Sequence, residues 1–286
     1  MASLAGVDRA CAAAVAATAL MQWAKYEKNL HPRSSTYPAL RLCLRLACKL
    51  AARGGHLEVL KWLHNTGCPC GSGTRAAAAA GGHVAVLKWL HSSGCPWKSG
   101  TCFAAACAGH LEVLKWLHNT GCPWASNTCR AAALRGHLEM RKWLHNTGCP
   151  FDTNTCCVAA AGGHLDVLKW LHSTGCPWGF GTCAAAVKGG YLELLKWLHS
   201  TGCPWDSHTC PAAARGGHLE VLKWLHSVGC PWSSWTCAVA ARGGHLATLE
   251  WAREHHCPWD KDNVRAHAAN GGHVEVVRWI DEHGGP

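Results

Sequence analysis

Residues 109–124 read Gly109-His110-Leu111-Glu112-Val113-Leu114-Lys115-Trp116-Leu117-His118-Asn119-Thr120-Gly121-Cys122-Pro123-Trp124. With small changes this phrase returns every 27 residues: its Gly-His step falls at His56, His83, His110, His137, His164, His218 and His245, with Tyr191 in the one altered copy. The last copy, His273, arrives one residue late. A period between about 20 and 50 residues marks an array of stacked units, none of which can bury its apolar face alone. The chain is therefore expected to be an all-α helical solenoid of nine helix–turn–helix repeats.

Within one unit, Thr101 is expected to cap a first helix running through the alanines to Gly109. Alanine has high helix propensity and no bulk, so neighbouring first helices can approach closely. A second helix follows His110, with Leu111, Leu114 and Leu117 spaced for one apolar face that Val113 and Trp116 widen. Gly121 stands where a left-handed C-terminal cap belongs, and Pro123 blocks resumption of the helix. Helices of about two turns are too short to hold alone in water, so packing between units must stabilise them.

The stretch from Gly55 and His56 to Gly67 and Cys68 resembles the second helix of the ankyrin repeat family, usually Gly-His-x-Glu-Val-Val-x-x-Leu-Leu-x-x-Gly-Ala. The Thr-Cys-x-x-Ala-Ala-x-x-Gly segment is similar to that family's Thr-Pro-Leu-His-x-Ala-Ala-x-x-Gly helix. The resemblance covers roughly residues 47–284. The family's usual period is about 33; the six residues missing here come mostly from its projecting β-hairpin. Shortened hairpins, replaced by compact Cys-Pro-Trp turns, are therefore expected. The organisation implied is an N-terminal helical cap over 1–46 and the ankyrin-like array over 47–286. A helix is expected from Ser35–Pro38 through about Arg53, carrying Arg41, Arg45, Lys49 and Arg53 as one basic stripe. Residues 10–21 are alanine-rich, but Asp8 precedes them and no basic leader does, which favours a packed cap over a targeting peptide.

The net charge of +10 is not a uniform basic coat, because pairs such as Glu58 with Lys61 and Glu112 with Lys115 nearly cancel at helix spacing. A pI of 8.8 suits acidic partners but falls below the guide of about 9 for nucleic-acid binders. Nucleic acid is accordingly disfavoured as a partner. No apolar run reaches the roughly 18–20 residues a membrane span needs. Most of the 20 cysteines recur at two places per unit, as in Cys95 with Cys102, Cys122 with Cys129, and Cys203 with Cys210. That recurrence, without a disulfide framework, suits a reducing compartment, cytoplasmic or nuclear.

Cysteine and histidine recurring together raise a metal-binding or redox-responsive alternative, but the Cys-x6-Cys spacing does not fit structural zinc. No metal site and no cofactor is expected. The motifs of phosphate-binding loops, nucleophile elbows and metalloproteases are all missing from the sequence, so an enzyme is not expected. The Trp-Leu-His tryptophans Trp62, Trp89 and Trp116 are assigned to the core. The Cys-Pro-Trp tryptophans Trp97, Trp124 and Trp205 are assigned as lids over the joints between repeats rather than as a base-stacking ladder.

Function is expected where repeats differ. Counting from the Thr, the third residue runs through Phe103, Arg130 and Pro211, and the seventh through Leu134, Lys188, Arg215 and Arg242; the residue before Thr includes His208 and Trp235. The ankyrin resemblance implies that these first-helix and turn positions line the concave binding face. The candidate partner-binding residues are Phe103, Arg130, Leu134, Phe180, Lys188, His208, Arg215, Trp235 and Arg242, and the expected function is a monomeric, non-catalytic protein-interaction scaffold.

Overall fold

The structure is a computed structural model that describes residues 38–65, 68, 70–94, 98–149 and 153–283. The cap expected over 1–46 falls mostly outside these residues, as do the alanine-rich segment 10–21, the side chains of Arg41 and Phe180, and Cys95 and Trp97. Among the described residues there are 18 α-helices and no strand, so the fold is the expected helical solenoid. The chain divides into two compact units, residues 1–149 and 150–286.

In the first unit, Pro38–Arg53 is a 16-residue helix, with Arg45, Lys49 and Arg53 exposed. It is the first helix of the repeat whose second helix is Leu57–Asn65; the repeats with second helices Val84–Ser92 and Leu111–Asn119 follow, and then the pair Ser126–Leu134 and Leu138–Asn146. In the second unit the same alternation runs from Thr153–Ala161 to Val274–His283. Within each unit, first helices pack side by side on the first helices of adjacent repeats, and each second helix packs on its own first helix. Alanine makes that arrangement possible: Ala78, Ala79, Ala105, Ala106 and Ala132 are fully buried and let neighbouring first helices approach closely.

The buried stripe of the second helix is narrower than the sequence pattern suggests. Val113, Leu114 and Leu117 are buried, whereas Leu111 and Trp116 are half-buried. Trp62, expected in the core, is 41% exposed. The reason is the alanine layer, whose shallow surface accommodates leucine and leaves the larger indole at the edge. Fully burying one leucine stabilises by roughly 1.5–3 kcal/mol, so repetition of this stripe carries much of the stability.

The expected Thr cap is also displaced. The first helix of the quoted unit begins at Ser99 with Lys98 as N-cap, and Thr101 lies inside the first turn, buried. Two other repeats show why threonine belongs there: the backbone N–H of Ser233 donates to Thr236 Oγ1 at 3.3 Å, and that of Asp206 to Thr209 Oγ1 at 3.2 Å. The hydroxyl thus reaches back to the start of the helix, as the third residue of a capping box does. The end of the second helix is as expected: Gly121 has φ 74° and Cys122 N–H donates to Leu117 O at 3.0 Å, closing the helix.

The Gly-His histidine joins successive repeats. The ring Nε2 of His83 donates to Arg53 O at 3.0 Å, His110 to Ala80 O at 3.1 Å, His218 to Lys188 O at 2.9 Å, and His245 to Arg215 O at 3.0 Å. Each bond satisfies a carbonyl left open at the C-terminal end of the preceding first helix.

Candidate functional site

Three first helices of the second unit frame an open groove of about 360 Å³. Its lining includes Lys188, which ends the helix Phe180–Lys188, and His208, which precedes Thr209–Arg215. Arg215 closes Thr209–Arg215, and Trp235 enters from the start of Ser234–Arg242. The 27-residue period sets this meeting: residues at equivalent positions of adjacent repeats stand side by side. Pro211 and Ala212 form the floor, their small side chains leaving the space open. Variation between repeats could not single out Ala212, because alanine also fills the equivalent positions Ala104, Ala131 and Ala185.

The site carries positive charge. Lys188, His208, Arg215 and Trp235 are all exposed, Trp235 by 39%. None of the ion pairs observed among the described residues involves Lys188 or Arg215. An adjoining space of about 210 Å³ shares Lys188, His208 and Ala212, and adds Trp205 and Asp206. Asp206 is already engaged: its Oδ1 accepts from the His208 N–H at 2.9 Å, at the positive end of a helix. Arg242 is exposed one repeat further on and does not line the groove. Phe103 and Leu134 are exposed and Arg130 half-buried, all three in the first unit. The side chain of Phe180 lies outside the described residues.

The tryptophans form a second regular feature. Trp124 stacks on His118 at 4.3 Å and meets Trp143 of the next repeat edge-on at 5.6 Å. Trp178 with His172 and Trp197, and Trp205 with His199 and Trp224, repeat the arrangement. One indole face is covered by the imidazole and the edge contact bridges repeats, so these residues lid the joints.

The cysteines pair differently from their proximity in sequence. The partner of Cys122 is Cys102, 20 residues earlier, with Sγ atoms 3.2 Å apart. Cys48 and Cys68 stand at 3.0 Å, and Cys156 and Cys176 at 2.7 Å. Cys183 with Cys203, Cys210 with Cys230, and Cys237 with Cys257 are also hydrogen-bonded. Cys129 and Cys149 are joined as a disulfide, which corrects the expectation of thiols throughout. In each case the first helix supplies one sulfur and the turn after the second helix supplies the other. Cys102, hydrogen-bonded to Cys122 and buried, has its thiol pushed up; Cys122, accepting that bond, is held below its ordinary value. The same division holds at Cys210 with Cys230 and at Cys237 with Cys257. Cys70 stands where other repeats have tryptophan, and hydrogen bonds with Cys48 and then His64 bring its thiol down to about 6. Among the described residues, no group of three or more His, Cys, Asp or Glu side chains is arranged to hold a metal ion.

No family model matches the chain, and no curated protein matches it. Among solved structures it is similar to the pentatricopeptide repeat protein PPR10 in complex with an 18-nt psaJ RNA element, with a TM-score of 0.47 and 15% identity. The likeness covers 94% of this chain and 46% of that one, so the chain spans about half the length of its structural neighbour. At this identity the likeness speaks to helical-repeat architecture alone. The expectation that disfavoured nucleic acid is corrected to an open one: that neighbour is a helical-repeat protein bound to RNA, and a pI of 8.8 does not exclude such a partner here. Among the described residues no helix is long and apolar enough to cross a membrane.

Proposed function

We propose that the chain is a non-catalytic binding scaffold of short ankyrin-like repeats, and that its second unit takes an acidic stretch of a partner protein. The observation that carries this reading is the convergence of Lys188, His208, Arg215 and Trp235 on one open groove. Two cations without a carboxylate partner among the described residues, beside a half-exposed indole, suit a ligand offering carboxylates and an apolar side chain. Arginine and tryptophan are the residue types that most often dominate binding energy, and clustering in one concavity concentrates their effect.

The test is a fluorescence-anisotropy titration of the chain with a labelled Asp/Glu-rich peptide and, in parallel, a single-stranded RNA of equal charge. The expected result is tighter binding of the peptide, weakened about 10-fold by the double change Lys188→Ser and Arg215→Ser, roughly 1.4 kcal/mol. Trp235→Ser is expected to weaken it by a similar factor. Preferential binding of RNA with a steep salt dependence would reassign the groove to nucleic acid. Equal binding by wild type and both variants would remove the groove from the function altogether.

A further inference from the structure

The paired cysteines carry an inference independent of the groove. Seven of the nine repeats hold a cysteine on the first helix and another 20 residues later. The two sulfurs are in direct contact in Cys48–Cys68, Cys102–Cys122 and Cys156–Cys176 and are bonded in Cys129–Cys149. Packing alone does not require this. Small apolar residues such as alanine would fill either position, and the ankyrin pattern has alanine at the second. The backbone suits a bridge: the bonded pair Cys129–Cys149 has its Cα atoms 6.5 Å apart, within the usual disulfide range of about 4.4–6.8 Å. Every other repeat has the same helix–helix–turn frame.

We propose that the array carries one dithiol–disulfide site per paired repeat, seven in all, which takes two-electron oxidants of the peroxide class and closes a bridge between residues 20 apart. The two sulfurs of a pair have different roles. Turn cysteines such as Cys122 are buried but nearer the surface, 4% exposed, whereas Cys102 is fully buried. Accepting a hydrogen bond from Cys102 favours the thiolate at Cys122, and the thiolate is the nucleophile. The Cys122 thiolate attacks one peroxide oxygen, the O–O bond breaks, and hydroxide leaves and takes a proton from solvent. The resulting sulfenic acid is attacked by the Cys102 sulfur; the S–S bond forms, the S–O bond breaks, and the leaving hydroxide carries away the Cys102 proton as water. Two thiols are oxidised and one peroxide is reduced to two waters.

The bridge ties the start of a first helix to the turn that closes the same repeat. Bridging is therefore local, and each repeat is stiffened without being linked covalently to the next. The second repeat is a built-in control, because Arg75 stands where its helix cysteine would be and leaves Cys95 with no cysteine 20 residues before it.

The experiment uses the full chain, reduced and then treated with graded hydrogen peroxide, alkylated, and digested without reduction for peptide mass mapping. Bridges at Cys102–Cys122, Cys156–Cys176 and the equivalent pairs, each with a loss of two hydrogens, and alkylated Cys95 are expected. Oxidised chain should also unfold at higher urea than reduced chain, with reversal by dithiothreitol. In Cys102→Ser, Cys122 is expected to proceed to sulfinic acid rather than to another bridge. Bridges between sequence neighbours such as Cys122 and Cys129, or sulfinic acid at the turn cysteines of the unaltered chain without bridges, would overturn the proposal.

Discussion

Two glycines of the quoted stretch share a backbone conformation but not an environment, and exchanging each for alanine separates backbone strain from packing. Gly109 has φ 81° and Gly121 has φ 74°. A left-handed conformation costs an L-residue about 1–2 kcal/mol, partly offset by about 0.4–1 kcal/mol from the reduced freedom of the unfolded chain. A Cβ at Gly121 would meet nothing within 4 Å, so Gly121→Ala should cost only this balance, about 0.5–1.5 kcal/mol. A Cβ at Gly109 would stand 2.6 Å from the His137 ring of the next repeat. Displacing that ring adds an overpacking cost of about 1–3 kcal/mol, giving about 2–4 kcal/mol for Gly109→Ala. Urea unfolding followed by tryptophan fluorescence should resolve the two. With a slope of about 2 kcal/mol/M, the midpoints should fall by about 0.2–0.8 M and about 1–2 M respectively. In a His137→Ala background the extra cost of Gly109→Ala should vanish, a coupling of about 1–3 kcal/mol. Equal midpoints for the two single variants, or a coupling below about 0.5 kcal/mol, would refute the assignment of the Gly-His step as the inter-repeat contact.

Further expectations follow from positions where one repeat departs from the rest. His256 occupies the turn position that Gly121 and its equivalents fill, at φ 60°, so His256→Gly should raise stability by about 0.5–1 kcal/mol, read as a higher urea midpoint. Arg141 is fully buried where other repeats bury leucine; Arg141→Leu should be neutral to stabilising by about 1–3 kcal/mol, and a lower melting temperature would contradict that. Cys70, with its thiol brought down to about 6, should react with iodoacetamide at a rate half-maximal near pH 6, well below an ordinary cysteine. Cys48→Ser should move that midpoint upward if the thiol of Cys48 is the main cause, and an unmoved midpoint would remove it as the cause.

The 27-residue recurrence of Gly-His, the apolar spacing of Leu114 and Leu117, and the Gly121-Cys122-Pro123 turn were enough to determine a helical solenoid and its repeat boundaries. They sufficed because they are local: a cap, a helix period and a chain-reversing glycine act within a few residues. Identical spacing across repeats then leaves a single way to stack. What the period does not encode is how deep each residue sits. Packing on the shallow alanine layer left Trp116 half-buried, and the first helix began at Ser99, so that Thr101 lies inside it rather than before it. Variation between repeats pointed to Lys188, His208, Arg215 and Trp235 one by one; only the side-by-side packing of three first helices made them the wall of one groove. The cysteines show the division most plainly. Along the chain Cys122 is nearest to Cys129, but the turn after each second helix folds back on the first helix of its own repeat, so Cys122 meets Cys102. Local sequence dictates where helices begin and end; only the return of the chain in space decides which sulfur touches which.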